Sequence, residues 1–466
     1  MFDWATQPFS TLILTFIFTP YVVATAMTPG GADAFANAIG MGWLTDPVTE
    51  GDANAQAVWA IALGFIGILT AIAAPILGSL ADATGPRKPW IAGFSILAIV
   101  GSLGLWWLPP DASAPMIGWG IAAFALAYFG FEFATVFNNA MMPDLAPRSE
   151  LGRLSGNAWA LGYAGGLVAL VIVLAFMATQ DGASRTLIGL EPVFGLDPAQ
   201  SEGARATGPM TAIWYAVFVL PLFLFVPDAP RRERVAGAVS RGLRELRDTI
   251  RSLPSNRSLF AFLGSSMFYR DALNGLYAFG GVYAATVLDW AVVRVGVFGI
   301  ITALIGAVGA WLGGKLDARM GSKFVVTLSI VALMTVSFIV ITTTPETVLF
   351  MDVGGALPAL AIDAPLIGAV GTADLAFFFC GAVIGAAGGS LQASSRALLV
   401  EQADPDRMTE AFGLYALSGK ATSFLAPLLI GVFTAVLASQ RGGMIPIVLL
   451  FAAGLVLLPW VRSRRT

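Results

Sequence analysis

Four ionisable side chains fall inside long apolar runs of this sequence: Glu132, Arg270, Asp271 and Lys420. A charge in hydrocarbon is costly, so such groups are functional by default. The sequence has no histidine, so any proton chemistry must use carboxylates. Desolvation favours the neutral form of a carboxyl, and a nearby cation favours the charged form. An acid held between those two effects can load and release a proton. Glu132 and Asp271 are therefore the candidate proton-coupling residues. Glu132 is preferred, because Asp271 sits beside a fixed cation that keeps it ionised. Structural pairing of the four charges is the alternative.

Polar neighbours share helical faces with these charges. Tyr128, Glu132, Thr135 and Asn139 recur at steps of four, three and four. Arg270, Asn274 and Tyr277 recur at steps of four and three, and Gln392 and Arg396 are four apart. The candidate substrate cavity thus comprises Tyr128, Asn139, Arg270, Asn274, Tyr277, Gln392, Arg396 and Lys420. A guanidinium offers a bidentate fork to a carboxylate. For Arg270 that carboxylate is Glu132, Asp271 or an acid group of a ligand. Asp271 is disfavoured, since helix neighbours point about 100° apart.

Other chemistries are excluded. There is no GxxxxGK[ST] phosphate loop, no HExxH and no paired CxxC. Without histidine a Ser-His-Asp triad is impossible. The single cysteine, Cys380, excludes an internal disulfide. We expect no enzyme activity, no cofactor and no bound metal.

The elements that must carry these residues are set by composition. The chain is 57% hydrophobic and 12% charged, with a mean hydropathy of +0.79. A soluble domain carries roughly 25% charged residues. This is an all-α polytopic membrane protein whose first partner is the lipid bilayer, and a net charge of −3 gives no sign of nucleic acid. Spanning requires about 20 apolar residues. Twelve such runs are read: 5–27, 55–80, 89–109, 115–142, 152–178, 209–227, 258–287, 292–316, 323–343, 373–399, 408–438 and 443–461. The first ten residues hold no base and no cleavage site, so the first run is read as a retained helix. The organisation is a six-helix half over 1–227, a linker over 228–257 and a second half over 258–466.

Placing both termini in the cytoplasm puts 20 of the 26 Lys and Arg on the inner side; the other six are Arg185, Arg205, Arg270, Arg294, Lys420 and Arg441. In the linker, Val235, Val239, Leu243, Leu246, Ile250 and Leu253 form an apolar stripe, with Arg241, Arg244, Arg247 and Arg251 off it. It is read as a basic amphipathic helix on the inner leaflet, serving as a connector. Glycines four apart, Gly162 and Gly166, Gly309 and Gly313, Gly385 and Gly389, predict close helix packing.

One loop recurs. GSLADATGPRKPW (78–90) and GGKLDARMGSK (313–323) both lie between apolar runs. Gly78 and Gly313, and Asp82 and Asp317, are each 235 residues apart, and Gly85 maps to Gly321. Asp144 and Glu401 are 257 apart. Carboxylates at helix ends can cap neighbouring helix N-termini.

The recurring loop resembles the cytoplasmic loop motif of the major facilitator superfamily. FDWA (2–5), TLILTFIFTPYV (11–22), FNNAMMPDLAP (137–147) and SGNAWALGYAGG (155–166) resemble its branch of fungal vacuolar amino-acid effluxers and their bacterial relatives. The resemblance implies a monomeric secondary transporter in the cell's inner membrane, working by alternating access on a small organic solute such as an amino acid. Proton coupling is expected. In that fold the first, fourth, seventh and tenth helices line the cavity. By resemblance, Gly78, Asp82, Gly85, Arg87, Lys88, Asp144, Gly313, Asp317, Lys323 and Glu401 form an inner latch that closes in the outward-facing state. A lipid or lysolipid translocator, and a non-transporting sensor or assembly factor, remain as alternatives.

Overall fold

A computed structural model describes residues 1–27, 29–40, 51–179, 184–228, 253–290, 292–364, 368–437 and 439–462, with Arg244, Arg247, Asp248 and Arg251. The linker stripe expected from Val235 to Ile250 lies outside the described residues. A chain in hydrocarbon must satisfy its own backbone N–H and C=O groups, so the apolar runs fold as helices. They are α1 (Phe2–Ala26), α2 (Gly51–Thr84), α3 (Lys88–Gly104), α4 (Ala114–Ala140), α5 (Leu151–Phe176) and α6 (Thr207–Phe225). The second set is α7 (Arg257–Thr286), α8 (Val292–Met320), α9 (Ser322–Ile341), α10 (Thr372–Gln402), α11 (Met408–Ala421 and Leu425–Leu437) and α12 (Ile445–Leu457). α3, α4 and α12 each begin with proline in the first turn, where its missing N–H is not needed.

Among the described residues, eleven helices are long and apolar enough to cross a membrane. The expected seventh span, α7, has 30 residues, a reach of about 45 Å. Arg270, Asp271 and Asn274 dilute its apolar character.

Three features differ from the plain pattern of runs. α1 contains two π-helical stretches, Phe9–Phe16 and Val22–Ala26, and its backbone turns at Ile17 (φ −123°). α11 is broken at 422–424. The connection after α9 holds two short antiparallel hairpins. In the first, β1 (Thr347–Val348) pairs with β2 (Met351–Asp352), Thr347 opposite Asp352. In the second, β3 (Ala361–Ala364) pairs with β4 (Gly368–Gly371), Ala361 opposite Gly371.

The chain forms two compact units. Unit 1 holds Met1–Ala74, Ala83–Met141 and Ala164–Val235; unit 2 holds Pro75–Asp82, Met142–Tyr163 and Ala236–Thr466. The division crosses α2 at Pro75, where proline removes a rung of the helix ladder. It crosses α5 inside the glycine-rich GYAGG.

Within unit 1, α3 and α4 touch backbone to backbone. A methyl at Gly101 would overlap Ala127, and one at Gly130 would overlap Ala98. Gly166 accommodates Gln7 and Thr11 of α1 in the same way. Trp4 stacks on Trp214 with centroids 5.4 Å apart, and the Trp214 indole donates to the Trp4 carbonyl at 3.0 Å. Within unit 2, α8 and α10 meet at glycines from both sides. Gly309 faces Ala386, Gly385 faces Thr302, and Gly389 faces the Gly306 carbonyl, each with no room for a side chain. The Ser390 hydroxyl donates across this contact to the Gly309 carbonyl at 2.8 Å.

Candidate functional site

The polar stripe on α10 meets a second stripe on α5, both within unit 2. Ser155, Trp159 and Tyr163 recur every four residues, so one face of α5 carries them. Arg396 is buried there. Its Nε donates to Ser155 Oγ at 3.0 Å, its Nη2 donates to the Ser155 carbonyl at 3.1 Å, and its guanidinium stands 5.3 Å from the Trp159 ring centre. Ser155 Oγ passes its own hydrogen to the Ala393 carbonyl at 2.7 Å. One turn away, Gln392 Nε2 donates to the Tyr163 hydroxyl at 3.3 Å. Tyr277 reaches over Gly388 and keeps 41% of its surface exposed. Tyr163 and Gln392 thus join α5 to α10, and Tyr277 of α7 lies against the same stretch of α10 at Gly388.

Arg270 points the other way, toward α11. It donates from Nη1 to the Tyr415 carbonyl at 2.7 Å and lies 4.2 Å over the Tyr415 ring. Gly419 makes room for the guanidinium. Among the described residues no carboxylate pairs with it. Neighbouring Asp271 is 1% exposed, and its Oδ2 accepts the Ala426 N–H at 2.9 Å. It caps the second piece of α11, just past the break. Its Oδ1 is buried with no hydrogen-bond partner among the described residues. Asn274 is exposed, and Lys420 is half-buried at the end of the first piece of α11.

The α4 stripe lies in unit 1. Tyr128 is buried and stacks on Phe124, with Phe9 beyond it. Glu132 is half-buried, and Asn139 is buried. The Thr135 hydroxyl donates back to the Phe131 carbonyl at 2.7 Å, a local bond within the helix.

The expected latch residues divide into three groups. Asp82, 8% exposed, sits at the first turn of α11. Its Oδ1 accepts the Thr409 N–H at 3.2 Å and its Oδ2 the Glu410 N–H at 2.8 Å. A carboxylate there complements the helix dipole. Gly78, one turn back, lets the α2 backbone rest on the Thr409 carbonyl.

The second group contains the repeat partner, Asp317, 5% exposed. Its Oδ1 accepts from the Ser322 hydroxyl at 3.0 Å, and the same hydroxyl lies 2.9 Å from Glu401 Oε1. The Asp317 carboxyl rests on Gly152 of α5, which leaves no space for a side chain. Gly152 and Thr409 are 257 apart, so both aspartates address equivalent helix starts. Asp82 makes amide bonds there, whereas Asp317 Oδ2 is buried with no partner among the described residues. Gly313 rests on Ser390.

The third group is divided, with Gly85, Arg87 and Lys88 in unit 1 and Asp144 and Lys323 in unit 2. The Arg87 and Lys88 amides donate to the Asp228 carboxylate at 2.9 and 3.1 Å, capping α3. Lys88 Nζ donates to the Phe223 carbonyl at 3.0 Å. In unit 2, Lys323 Nζ does the same to the Val461 carbonyl at 2.6 Å. Gly85 and Gly321 both turn with positive φ, +92° and +89°, which only glycine adopts without strain. Asp144 is exposed after α4.

Sequence reasoning did not single out Tyr163, Trp159, Tyr415, Ser322 or Asp228. The four-residue spacing from Ser155 to Tyr163 was the available signal for the α5 face. Asp228 carried none, because its partners lie some 140 residues away.

The sequence matches the family model described as "Vacuole effluxer Atg22 like" over residues 1–466. The chain belongs to that family. This Atg22-like chain is 22% identical over 461 residues to the uncharacterized MFS-type transporter YxiO of Bacillus subtilis (strain 168), covering 99% of the chain and 93% of the relative. Among solved structures it is similar to the human organic anion transporter MFSD10 (TETRAN), with a TM-score of 0.66, 15% identity, and 98% and 96% of the two chains covered. It is also similar to the major facilitator transporter FucP in the outward conformation, with a TM-score of 0.63, 12% identity, and 99% and 98% covered. The Atg22-like chain has the twelve-helix major facilitator fold, and its family and fold are those of membrane transporters.

Proposed function

We propose that this Atg22-like protein is a secondary carrier of small carboxylate-bearing solutes, amino acids foremost, working by alternating access. The observation that carries this reading is Arg270. It is a guanidinium within a spanning helix, fixed by the Tyr415 carbonyl and ring, with no acid partner among the described residues. A charge held that way at a cost is matched to an anionic group that comes and goes. Tyr277 and Gln392 supply uncharged hydrogen-bonding groups on the same unit. The family's description as effluxers supports export.

In this reading the two six-helix halves, 1–227 and 258–466, alternate around the solute, with the basic linker between them. Protons drive the cycle, and Glu132 is the coupling acid. Asp271 is the weaker choice, since one of its oxygens is committed to Ala426. The capping of α11 by Asp82 serves as the latch, with Asp317, Ser322 and Glu401 as its counterpart. The protein acts as a monomer in the inner membrane, with both termini cytoplasmic.

The test is a thermal-shift screen of the purified protein against amino acids, other carboxylates, sugars and lysolipids. A ligand at 100 times its Kd stabilises by roughly 2.7 kcal/mol. Carboxylate-bearing solutes should shift the wild type. A shift with sugars or lysolipids alone would overturn the reading.

A further inference from the structure

Unit 1 has a second feature, at the end of α3 opposite the 78–90 loop. A cavity of about 640 Å³ opens between the far ends of α3, α5 and α6. Its lining is apolar throughout and includes Trp106, Trp107, Met177, Phe194, Met210 and Trp214. No residue of the candidate transport site lines it.

The connection between α5 and α6 supplies part of its wall. Phe194 in that connection is 93% exposed and holds φ at +61°, a conformation that a bulky side chain adopts only under strain. Leu187, Ile188 and Leu190 are exposed beside it in sequence. A connection that displays four large apolar side chains is suited to lie in lipid rather than in water. Trp106 and Trp107 fit the same depth, because tryptophan gathers at the membrane–water boundary.

A cation sits on the rim. Arg205 directly precedes Ala206, which lines the cavity. Its guanidinium stands 4.8 Å from the Trp106 ring centre, and its Nε donates to the Trp106 carbonyl at 2.9 Å. Nη1 reaches the Gln200 carbonyl at 3.5 Å, and among the described residues Nη2 has no partner. The acid on the same short helix, Glu202, is turned onto the Asp197 amide at 2.9 Å. The guanidinium is therefore held in place with donors to spare.

We propose that unit 1 binds one phospholipid, with an acyl chain in this cavity and the phosphate on Arg205. An apolar slot open to lipid takes a hydrocarbon tail, and a fixed guanidinium matches a phosphate with two donors. The phospholipid is a resident component, held apart from the solute path.

The test is native mass spectrometry of the full-length protein in detergent, titrated with dioleoyl-phosphatidylglycerol. Wild type should retain one phospholipid. Met210→Trp fills the cavity, and Arg205→Gln removes the cation; each should weaken retention at least tenfold. Phosphatidylglycerol with brominated chains, in vesicles, should quench tryptophan fluorescence in wild type and less in Ala206→Leu, which narrows the cavity without touching Arg205. Thermal melts check that the variants fold, and the quenching arm decides if Met210→Trp does not. Retention unchanged in both charge and cavity variants would overturn the proposal. So would displacement of the phospholipid by equal amounts of oleic acid or detergent.

Discussion

The Asp82 carboxylate accepts the Glu410 N–H at 2.8 Å, so an acid from α2 ends the first turn of α11. A second bond to Thr409 makes it a two-amide cap. Losing such a cap costs about 1 kcal/mol, roughly a fivefold change in a two-state population. Asp82→Asn keeps the shape and removes the charge. It should favour the state in which this contact is open, without unfolding the protein. Spin-label distances across the contact report it, and an unchanged distribution would show that the cap does no switching.

Arg270→Lys keeps the positive charge and loses the planar fork. Solute binding should weaken about tenfold, or roughly 1.4 kcal/mol. Isothermal titration with the ligand found by thermal shift measures this directly. Equal affinity in the two proteins would make Arg270 a structural residue stacked on Tyr415.

Glu132→Gln should abolish solute accumulation driven by a pH gradient in proteoliposomes and spare exchange of labelled for unlabelled solute. Accumulation that persists in the mutant rules out Glu132 as the coupling acid. If both activities vanish while the fold survives, Glu132 binds solute or holds structure instead.

Ser322 Oγ lies within hydrogen-bond reach of both Asp317 and Glu401, yet it has one hydrogen to give. Ser322→Ala leaves Asp317 buried without its bond and should cost about 1–3 kcal/mol in unfolding. Asp317→Asn, made alone and together with Ser322→Ala, tests the link. The two losses should fail to add, and simple additivity would mean the residues act separately.

Gly385 faces the Thr302 carbonyl with no space for a side chain. Gly385→Val should cost about 1–3 kcal/mol. Gly299→Ala, on the same partner helix in open space, should be tolerated. Thermal unfolding of the two proteins should separate them clearly.

The helices were legible because each apolar run is bounded by proline, glycine or charge. The run read as 258–287 folds as Arg257–Thr286. The break in α11 at 422–424 was signalled by Pro427, which cannot bond the carbonyl of residue 423 and clashes with it in a continuous helix, although the run was read unbroken as 408–438. What was not legible is the partner of the new helix start, Asp271, which caps Ala426 from 155 residues away. The facing of Gln392 and Arg396 together was legible from their spacing. Their meeting with Ser155 and Tyr163 was not, because periodicity says which residues share a face and not what that face touches. The two hairpins between α9 and α10 were not legible, because their strands are too short to show an alternating pattern.

The glycine contact between α8 and α10 sets how this protein can move. Backbone lies against backbone there, so no rotamer can adjust and no gap can open by degrees. The two helices must travel as one plank. Bending then falls to the places where the backbone ladder is already interrupted, among them the turn at Ile17 in α1, Pro75 in α2 and 422–424 in α11. Those joints, rather than the wide helix faces, are where a mutation should change the speed of the proposed cycle while leaving its end states intact.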